Sequence, residues 1–375
     1  MNSYENYIVD LKKFDSKRLS GVSGVLRLKN DEEFLESCIN SCIHCLDELV
    51  VVYEETSEKS LQILRKLQKQ HPKKIRSYHY EPKLYAGELS ESEYQSVTKE
   101  PKDSVHFLAN YCNFAFSKIK YRYALKIDAD QIYLETKLKE ICNAYRTEAK
   151  FRMFSLFDLL GFLIVAFFIL TTQKLKWRIP FFLSEGVFNH YFSFLLLLIQ
   201  WKKIPVSLSG INLVIDKNNI LIPLGRCNSD GINILPPFNG VGDTSIFQLT
   251  SHTYFVSWEP INNSRKARKK HLIIERLENV RNLLPVGVCW AHFNAIRKNV
   301  RKQQEWNIQN YPNYFWLLDC KQFSKRKLFS FEKNWNPYER LCFRLLPSSI
   351  NHEILIWLKG FKLNDGYVTR SDSSE

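Results

Sequence analysis

The stretch YALKIDADQIYL, Tyr123 to Leu134, decides the fold. Its apolar residues predict a short β-strand that buries Leu125 and Ile127. The strand ends in two carboxylates one residue apart, Asp128 and Asp130. A pair of acids at the end of a buried strand either caps a turn or holds a positively charged group.

Strands and helices alternate on the amino-terminal side of this stretch, over 21–150. The segments SGVSGVLRLKN, LVVVYEE and KIRSYHYE are typical of strands, and helical segments separate them. This order predicts an α/β domain with a mostly parallel sheet and flanking helices. Ligands of such sheets bind at the carboxyl ends of the strands, so Glu54 and Glu55 are expected at the same edge as the Asp128–Asp130 pair.

The spacing of Asp128 and Asp130 suits a divalent cation. Both carboxylates can approach one ion where the strand ends, and hard oxygen ligands favour Mg²⁺ or Mn²⁺. Such an ion can bridge to a diphosphate and neutralise its charge. A lone D-x-D is common by chance, so the turn-capping alternative stays open until the context is considered.

Four segments in order supply that context: SGVLRLKNDEEFLESCINSC, DELVVVYEETSEKS, NFAFSKIK and YALKIDADQIYL. As an ordered set, over Gly24 to Leu134, they resemble the family 2-like glycosyltransferases of the GT-A (Rossmann-like) fold. The resemblance implies transfer of a sugar from a nucleoside-diphosphate sugar, with Mn²⁺ or Mg²⁺ as cofactor. A UDP-sugar is the expected donor and a glycan or lipid-linked molecule the expected acceptor.

The resemblance also implies residue roles. Asp128 would contact the ribose or the metal, and Asp130 would bind the metal. Glu54 and Glu55 would lie near the nucleoside, and Asn113 would shape the floor of the site. Two positions depart from the family pattern: Glu54-Glu55 replaces the usual Asp-Asp or Asp-Ser, and Cys112 stands where an arginine often precedes the asparagine.

Glycosyl transfer needs a base for the acceptor hydroxyl. In the family, this base is an acid beyond the metal strand, and Asp243 in PPFNGVGDTSIF is the candidate, which implies an inverting reaction. An ordinary loop or N-cap aspartate is the alternative. Asp230 in NSDG is the second candidate, although its surroundings are typical of a turn.

His292 in GVCWAHFNAIRK is a candidate third metal ligand, because many GT-A enzymes recruit a histidine near their carboxyl terminus. A packed histidine with one hydrogen bond is the alternative. The cysteines Cys38, Cys42 and Cys45 resemble a metal clip, but no second CxxC completes a zinc site. Cys38 and Cys42 instead belong to the apolar stripe of a predicted helix.

Composition and net charge limit the possible partners and location of the protein. The 375 residues carry a net charge of +14, which favours an anionic partner such as a membrane surface, a phosphorylated substrate or nucleic acid. No nucleic-acid-binding module accompanies the basic cluster RKARKK at 265–270, so nucleic acid is not expected. Nine cysteines without a regular framework and the lack of a signal peptide predict a cytoplasmic protein.

Two apolar segments, LLGFLIVAFFILTTQ and IPFFLSEGVFNHYFSFLLLLIQW, follow the α/β half. Positive charges flank every end, so we expect interfacial helices, peripheral or monotopic at the inner face of the cell membrane, rather than a spanning hairpin. An apolar core excursion is the alternative. The predicted organisation is a nucleotide-sugar-binding half at 21–150, an apolar insertion at 151–204, an acceptor-side part at 205–260 and a helical basic region at 261–370.

The sequence therefore predicts a metal-dependent glycosyltransferase, with a role in bacterial surface-polysaccharide synthesis. Two alternatives remain. A nucleotidyltransferase also holds Mg²⁺ with acids at strand ends, but RLKNDEE lacks the glycine-rich phosphate loop expected after its first strand. A non-enzymatic basic protein that binds membranes or nucleic acid would explain the charge without any catalytic site.

Overall fold

The computed structural model describes residues 4–147, 163, 181–216, 219–227, 233–240, 244–258, 272–280, 283–293, 298–318, 346–364 and 367–370. The chain forms two compact units. Unit 1 comprises Met1–Glu32, Leu46–Ala129 and Ile246–Asn282, and unit 2 comprises Glu33–Cys45, Asp130–Ser245 and Leu283–Glu375. Strands and helices are numbered below in chain order.

Unit 1 contains the alternating strands and helices predicted from the sequence. Its strands are β1 (Leu19–Leu28), β2 (Glu48–Tyr53), β3 (Ile75–His79), β4 (Gly87–Glu88), β5 (Tyr121–Asp128), β13 (Ser245–Gln248, from Ile246 on), β14 (Phe255–Trp258) and β15 (Leu272–Leu277). Its helices are α2 (Glu58–Gln70), α3 (Glu91–Val97) and α4 (Leu108–Ser117), with short 3₁₀ turns at Glu5–Tyr7 and Leu11–Asp15.

The sheet of unit 1 has the order β3-β2-β1-β5-β13. The first four strands run parallel, and β13 is antiparallel to β5. Buried β-branched residues on β1 and β2, such as Val25, Val50 and Val52, pack with aromatic residues of α4. The predicted mixed α/β fold with a Rossmann-like parallel sheet is therefore confirmed for this part of the chain. The carboxyl ends of β1, β2 and β5 lie at one edge.

Unit 2 contains the remaining elements. Its helices are α1 (Leu35–Cys42), α5 (Glu135–Arg146), α6 (Phe181–Lys202), α7 (Lys298–Asn310) and α8 (His352–Lys359), with a 3₁₀ turn at Pro312–Tyr314. Its strands are β6 (Gln131–Tyr133), β7 (Val206–Asn212), β8 (Val214–Asp216), β9 (Asn219–Pro223), β10 (Arg226–Cys227), β11 (Asn233–Ile234), β12 (Phe238–Asn239), β16 (Leu284–His292), β17 (Phe315–Leu317), β18 (Phe361–Asn364) and β19 (Tyr367–Arg370).

The central strands of unit 2 are β7 and β16, which run parallel. Strand β6 pairs antiparallel with β16, and β12 pairs antiparallel with β7. Buried residues of these strands, such as Ile211 and Val288, pack with the apolar face of α8. Cys38 and Cys42 are buried on α1, which confirms their assignment to the apolar stripe of that helix. Strands β8 and β9 pair antiparallel.

The expectation of a helical carboxyl-terminal region was wrong for its first part. Strands β15 and β16 occupy Leu272–Leu277 and Leu284–His292, and helices appear only later. The reason is local, because LIIERL and PVGVCW contain β-branched residues that favour strands. In addition, β16 is buried between two partner strands. A helix at this place could not pair with the backbone N–H and C=O groups of those strands.

The second apolar segment forms α6, a helix of 22 residues. Phe188, Tyr191, Leu195 and Ile199 are buried along one face, and the Tyr191 hydroxyl donates a hydrogen bond to the Pro285 carbonyl at 3.0 Å. Among the helices of the described ranges, none is both long and apolar enough to cross a bilayer. The first apolar segment lies outside the described residues, apart from residue 163.

Candidate functional site

Asp128, the last residue of β5, forms an ion pair with an arginine of the neighbouring strand. Parallel pairing of β1 and β5 places Arg27 opposite Asp128 in the register. The Arg27 Nη2 atom lies 3.0 Å from Asp128 Oδ1, and about a quarter of the Asp128 side chain is exposed (27%). A guanidinium held in this way orients the carboxylate.

Arg27 also binds a second carboxylate, Glu275 on β15, at 2.6 Å. Lys126 Nζ lies 3.6 Å from the same Glu275 oxygen. Burial disfavours the charged form of Arg27, but the neighbouring carboxylates of Glu275 and Asp128 raise the pKa of the guanidinium. Burial likewise opposes ionisation of Glu275, yet Arg27 and Lys126 lower its pKa below the ordinary value. Two cations and two anions thus form one buried network in unit 1.

Cys112 contacts the same guanidinium. Its Sγ atom accepts a hydrogen bond from Arg27 Nη1 at 3.5 Å, and burial raises the pKa of the thiol to about 12. The thiol is therefore uncharged at neutral pH. The resemblance implies an arginine at position 112, and the structure has an arginine beside that position, contributed by β1. Sequence reasoning missed Arg27 and Glu275, which are 248 residues apart in the chain.

The acids after β2 differ from each other. Glu54 is buried and forms an ion pair with Lys29, which follows β1, whereas Glu55 is exposed. Both follow the carboxyl end of β2, as predicted, and β1 separates β2 from β5. The Glu54 carboxylate is therefore paired with a cation, whereas the Glu55 carboxylate is accessible to solvent. Their roles toward a nucleoside stay predictions.

Asn113 lies inside unit 1 rather than at its surface. Its side-chain amide donates to the Phe255 carbonyl at 2.9 Å and accepts from the Phe255 amide at 2.8 Å. Both ends of the amide are thus committed to the backbone of β14. These two hydrogen bonds connect α4 to β14, so Asn113 has a structural role within unit 1. Its predicted place in the floor of a binding site stays a prediction.

Asp130 and His292 come together in unit 2, although they are 162 residues apart in the sequence. Asp130 lies two residues after the end of β5, and His292 is the last residue of β16. The His292 Nε2 atom lies 3.3 Å from Asp130 Oδ2, and both side chains are buried. Pairing of β6 with β16 sets this approach, because it places His292 opposite Gln131, the residue after Asp130.

A third residue, Asn212 on β7, fixes the imidazole ring. Asn212 Nδ2 donates to the Pro236 carbonyl at 2.6 Å, which turns Asn212 Oδ1 toward His292 Nδ1 at 2.7 Å. Since an amide oxygen only accepts, Nδ1 carries the proton. Asn239 Nδ2 approaches the same nitrogen at 3.3 Å, too far to compete with the shorter bond. In the neutral ring, the Nε2 lone pair therefore faces the Asp130 carboxylate.

Two electron-pair donors that face each other need a cation between or beside them. A proton on Nε2 gives an ion pair, and a divalent metal bound to both atoms gives a coordination site. One carboxylate oxygen and one imidazole nitrogen suit Mn²⁺ better than Mg²⁺, which prefers oxygen ligands only. The described residues contain no group of three or more such side chains placed to hold a metal.

Trp290 packs beside this pair. Its ring lies 5.8 Å from that of His292, edge to face, and fills the space above Gly210 and Gly240. A Cβ atom at Gly210 would lie 2.0 Å from the indole, and one at Gly240 would lie 2.3 Å from it. These two glycines therefore allow the tryptophan to pack against the strands that carry Asn212 and Asn239. Sequence reasoning missed Asn212 and Asn239, because nothing in their local sequence marks them.

Several predicted residues lie outside the described ranges. They are the candidate base Asp243, the second candidate Asp230 and the basic cluster at 265–270. Their roles stay predictions from the sequence.

No protein-family model and no curated protein matches the chain. Solved structures of glucosyl-3-phosphoglycerate synthase from Mycobacterium tuberculosis do match. The complex with Mn²⁺, UDP-glucose and phosphoglyceric acid is 15% identical, and the match covers 42% of this chain and 52% of that chain, with a TM-score of 0.22. The complex with Mn²⁺, UDP and phosphoglyceric acid is 12% identical and covers 64% of this chain and 92% of that chain, also at 0.22.

A third structure of the same synthase, with UDP, is 17% identical, and the match spans 32% of this chain and only 36% of that chain, with a TM-score of 0.19. TM-scores this low do not establish a common fold. The assignments that follow therefore depend on the residues of this chain.

Proposed function

We propose that this chain is a metal-dependent glycosyltransferase that moves a sugar from a nucleoside-diphosphate sugar, with UDP as the expected nucleotide, to a glycan or lipid-linked acceptor. The observation that carries the proposal is the Asp130–His292 pair, with the ring orientation fixed by Asn212. Metal-binding histidines in proteins characteristically donate their second nitrogen to such an acceptor.

The proposed roles follow from the contacts within each unit. In unit 2, Asp130 and His292 hold the cation, and Asn212 keeps the His292 lone pair directed at it. When bound, the divalent ion neutralises the charge that develops on the departing diphosphate. In unit 1, Arg27 orients Asp128, which contacts the ribose or the metal, and Glu54 and Glu55 serve the nucleoside.

The acceptor side of the reaction rests on the sequence. Asp243 is the proposed base, which takes the proton from the acceptor hydroxyl as the oxygen attacks the anomeric carbon. Direct attack inverts the configuration at that carbon. The likeness of the ordered segments to bacterial surface-polysaccharide enzymes supports a role in that pathway, and it does so independently of the geometry.

A location at the cytoplasmic face of a membrane is part of the proposal. Helix α6 supports it, because Leu196, Leu197 and Leu198 are only partly buried and Trp201 is exposed (48%). Lys202 Nζ lies 4.4 Å from the Trp201 ring centre, and tryptophan with lysine at a helix end is typical of interfacial anchors. Weaker flotation with vesicles for Trp201→Gln than for wild type would support this setting, and equal flotation would contradict it.

Calorimetry with UDP, with and without Mn²⁺, tests the function. We expect UDP binding that strengthens with Mn²⁺ and is lost in His292→Ala. A screen of nucleotide sugars for Mn²⁺-dependent hydrolysis would then identify the donor, and release of UDP distinguishes a glycosyltransferase from a nucleotidyltransferase, which releases pyrophosphate. Binding of oligonucleotides with steep salt dependence, without binding of UDP, would refute the proposal.

A further inference from the structure

Unit 1 has a cavity at the amino ends of its strands. The cavity measures about 760 Å³, within the range of small-molecule sites, and Leu19 at the start of β1 and Lys120 just before β5 line it. Ligands of parallel sheets bind at the opposite, carboxyl ends. The cavity is therefore separate from the edge that carries Asp128 and Glu54.

The lining of this cavity is strongly basic. Among the described residues, it contains five cationic side chains and one carboxylate: Lys13, Lys17, Arg18, Lys118, Lys120 and Asp10. Asp10 accepts a hydrogen bond from the Lys12 backbone amide at 3.1 Å. None of the five cations forms an ion pair with a carboxylate of the described ranges. An anion that enters the cavity would thus meet uncompensated positive charge.

Arg18 is fixed in place by neutral groups. Its guanidinium donates to the backbone carbonyls of Phe14, Ser16 and Lys13. Its Nε atom is buried without a hydrogen-bond partner in the described part of the chain. Burial lowers the pKa of Arg18, and the nearby Asp15 only partly offsets this, while the Asp15 carboxylate is itself engaged by the Ser251 amide. A buried donor without an acceptor is a position where a ligand oxygen would fit.

Lys118 also lines the cavity. Its Nζ atom is 4.1 Å from the ring centre of Phe114, which also lines the cavity. Burial lowers the pKa of Lys118, so its charge is incompletely solvated. A bound anion would restore favourable surroundings to this ammonium group.

The rim of the cavity is apolar. Ile8 and Leu19 line it and are 56% and 63% exposed, which makes them two of the most exposed large apolar side chains in the described ranges. A small soluble anion would leave both in water. An amphiphile with a phosphate group would use the cations and the aliphatic side chains together.

We propose that this cavity binds the phosphate group of an anionic lipid headgroup, with Ile8 and Leu19 in contact with the glycerol and first acyl carbons. The site would attach unit 1 to an anionic membrane surface. It depends on none of the residues proposed for catalysis, so it can be tested whether or not the proposed glycosyl transfer is correct.

Sedimentation of the full chain with vesicles tests the charge requirement. We expect binding to phosphatidylcholine vesicles that contain phosphatidic acid, and little binding to phosphatidylcholine alone. Lys17→Glu with Lys120→Glu should weaken binding about tenfold or more. Lys69→Glu with Lys99→Glu is the matched control, because both lysines are exposed and outside the cavity. Equal losses in the two double variants would reduce the effect to net charge and overturn the site.

A second comparison separates a lipid from a soluble phosphate compound. Ile8→Ser with Leu19→Thr should weaken vesicle binding several-fold but leave calorimetric binding of glycerol 3-phosphate unchanged, and threonine keeps the strand propensity of β1. Tight binding of glycerol 3-phosphate, together with vesicle binding that the apolar variant does not change, would overturn the lipid assignment. Thermal unfolding of each variant identifies any loss that comes from the fold.

Discussion

Asp128 and Asp130 are one residue apart in the chain, yet their surroundings in the two units are opposite. Asp128 pairs with a permanent cation, Arg27, which also holds Glu275. Asp130 faces a histidine nitrogen whose charge depends on a proton or a metal. The first carboxylate is thus paired with a permanent charge of the protein, whereas the second is directed at an imidazole.

The two acids of one short motif therefore differ in the kind of partner that each contacts. A guanidinium does not lose its proton in a protein, so the Arg27 network is present at all physiological pH values. A neutral histidine with Nδ1–H bound elsewhere is an electron-pair donor, which a guanidinium can never be. Position on a strand end made both residues candidates, but only their partners indicate which of the two is better suited to bind metal.

Replacement of Asp130 by Ala should have the largest effect. It removes the oxygen ligand and leaves His292 as a lone donor, so we expect Mn²⁺-dependent UDP binding and sugar transfer to be lost, a change of about 100-fold or more. Calorimetry with UDP and Mn²⁺ measures it. Asp103→Ala is the control, because Asp103 is exposed and outside both clusters. Full activity of the Asp130 variant would refute the role of Asp130 as a metal ligand.

Arg27→Met tests the other half of the comparison. It leaves the buried Glu275 and the partly buried Asp128 without their guanidinium, and loss of one partner from such a network costs about 3 kcal/mol of folding free energy. Urea denaturation measures this cost. Arg65→Met removes an exposed ion pair with Glu58 and should change the stability little. Similar midpoints for the two variants would show that the network contributes nothing to the fold.

The first part of the fold was predictable because its signals are local. The apolar run before Asp128 and the β-branched run in β2 specify buried strands, and parallel order follows from the helices between them. The stretch from Leu272 to His292 was mispredicted as helical, since it forms β15 and β16. The strand preference of β16 became decisive only through burial between β7 and β6, which no local pattern records.

The candidate site was predictable only in its acids and His292. Asp130 stood out because a buried strand rarely ends in carboxylates, and His292 because of its type. Arg27 was hidden inside a strand, and its partner Glu275 comes from a distant one, so only the folded register joins them. Asn212 was hidden for the same reason, because only the parallel pairing of β7 with β16 places it opposite His292.

Asn212→Ala tests whether Asn212 sets the orientation of the His292 ring. Without the Oδ1 acceptor, His292 is free to place its proton on either nitrogen, and we expect Mn²⁺-dependent UDP binding to weaken about 10- to 100-fold. Asn212→Asp keeps an oxygen for Nδ1–H and should recover most of the affinity, which a merely structural role would not predict. Asn219→Ala, at an exposed position of the same unit, is the control.

The smallest expected effect is a pH dependence of stability at the Arg27 network. Arg27 and Lys126 lower the pKa of Glu275 below its ordinary value near 4.5, so the unfolded chain binds a proton there more readily than the folded chain. The stability that Glu275 contributes is therefore complete above about pH 4.5 and is lost as the pH falls through the lower folded-state pKa.

Glu275→Gln removes this titrating group. We expect the difference in unfolding free energy between wild type and this variant to shrink as the pH falls from 6 toward 3. Glu278→Gln, which alters a carboxylate paired with the exposed Arg276, is the matched control. A pH-independent difference for Glu275→Gln would mean that the Glu275 carboxylate is not held by Arg27, and the contrast between the two acids of the motif would lose its electrostatic basis.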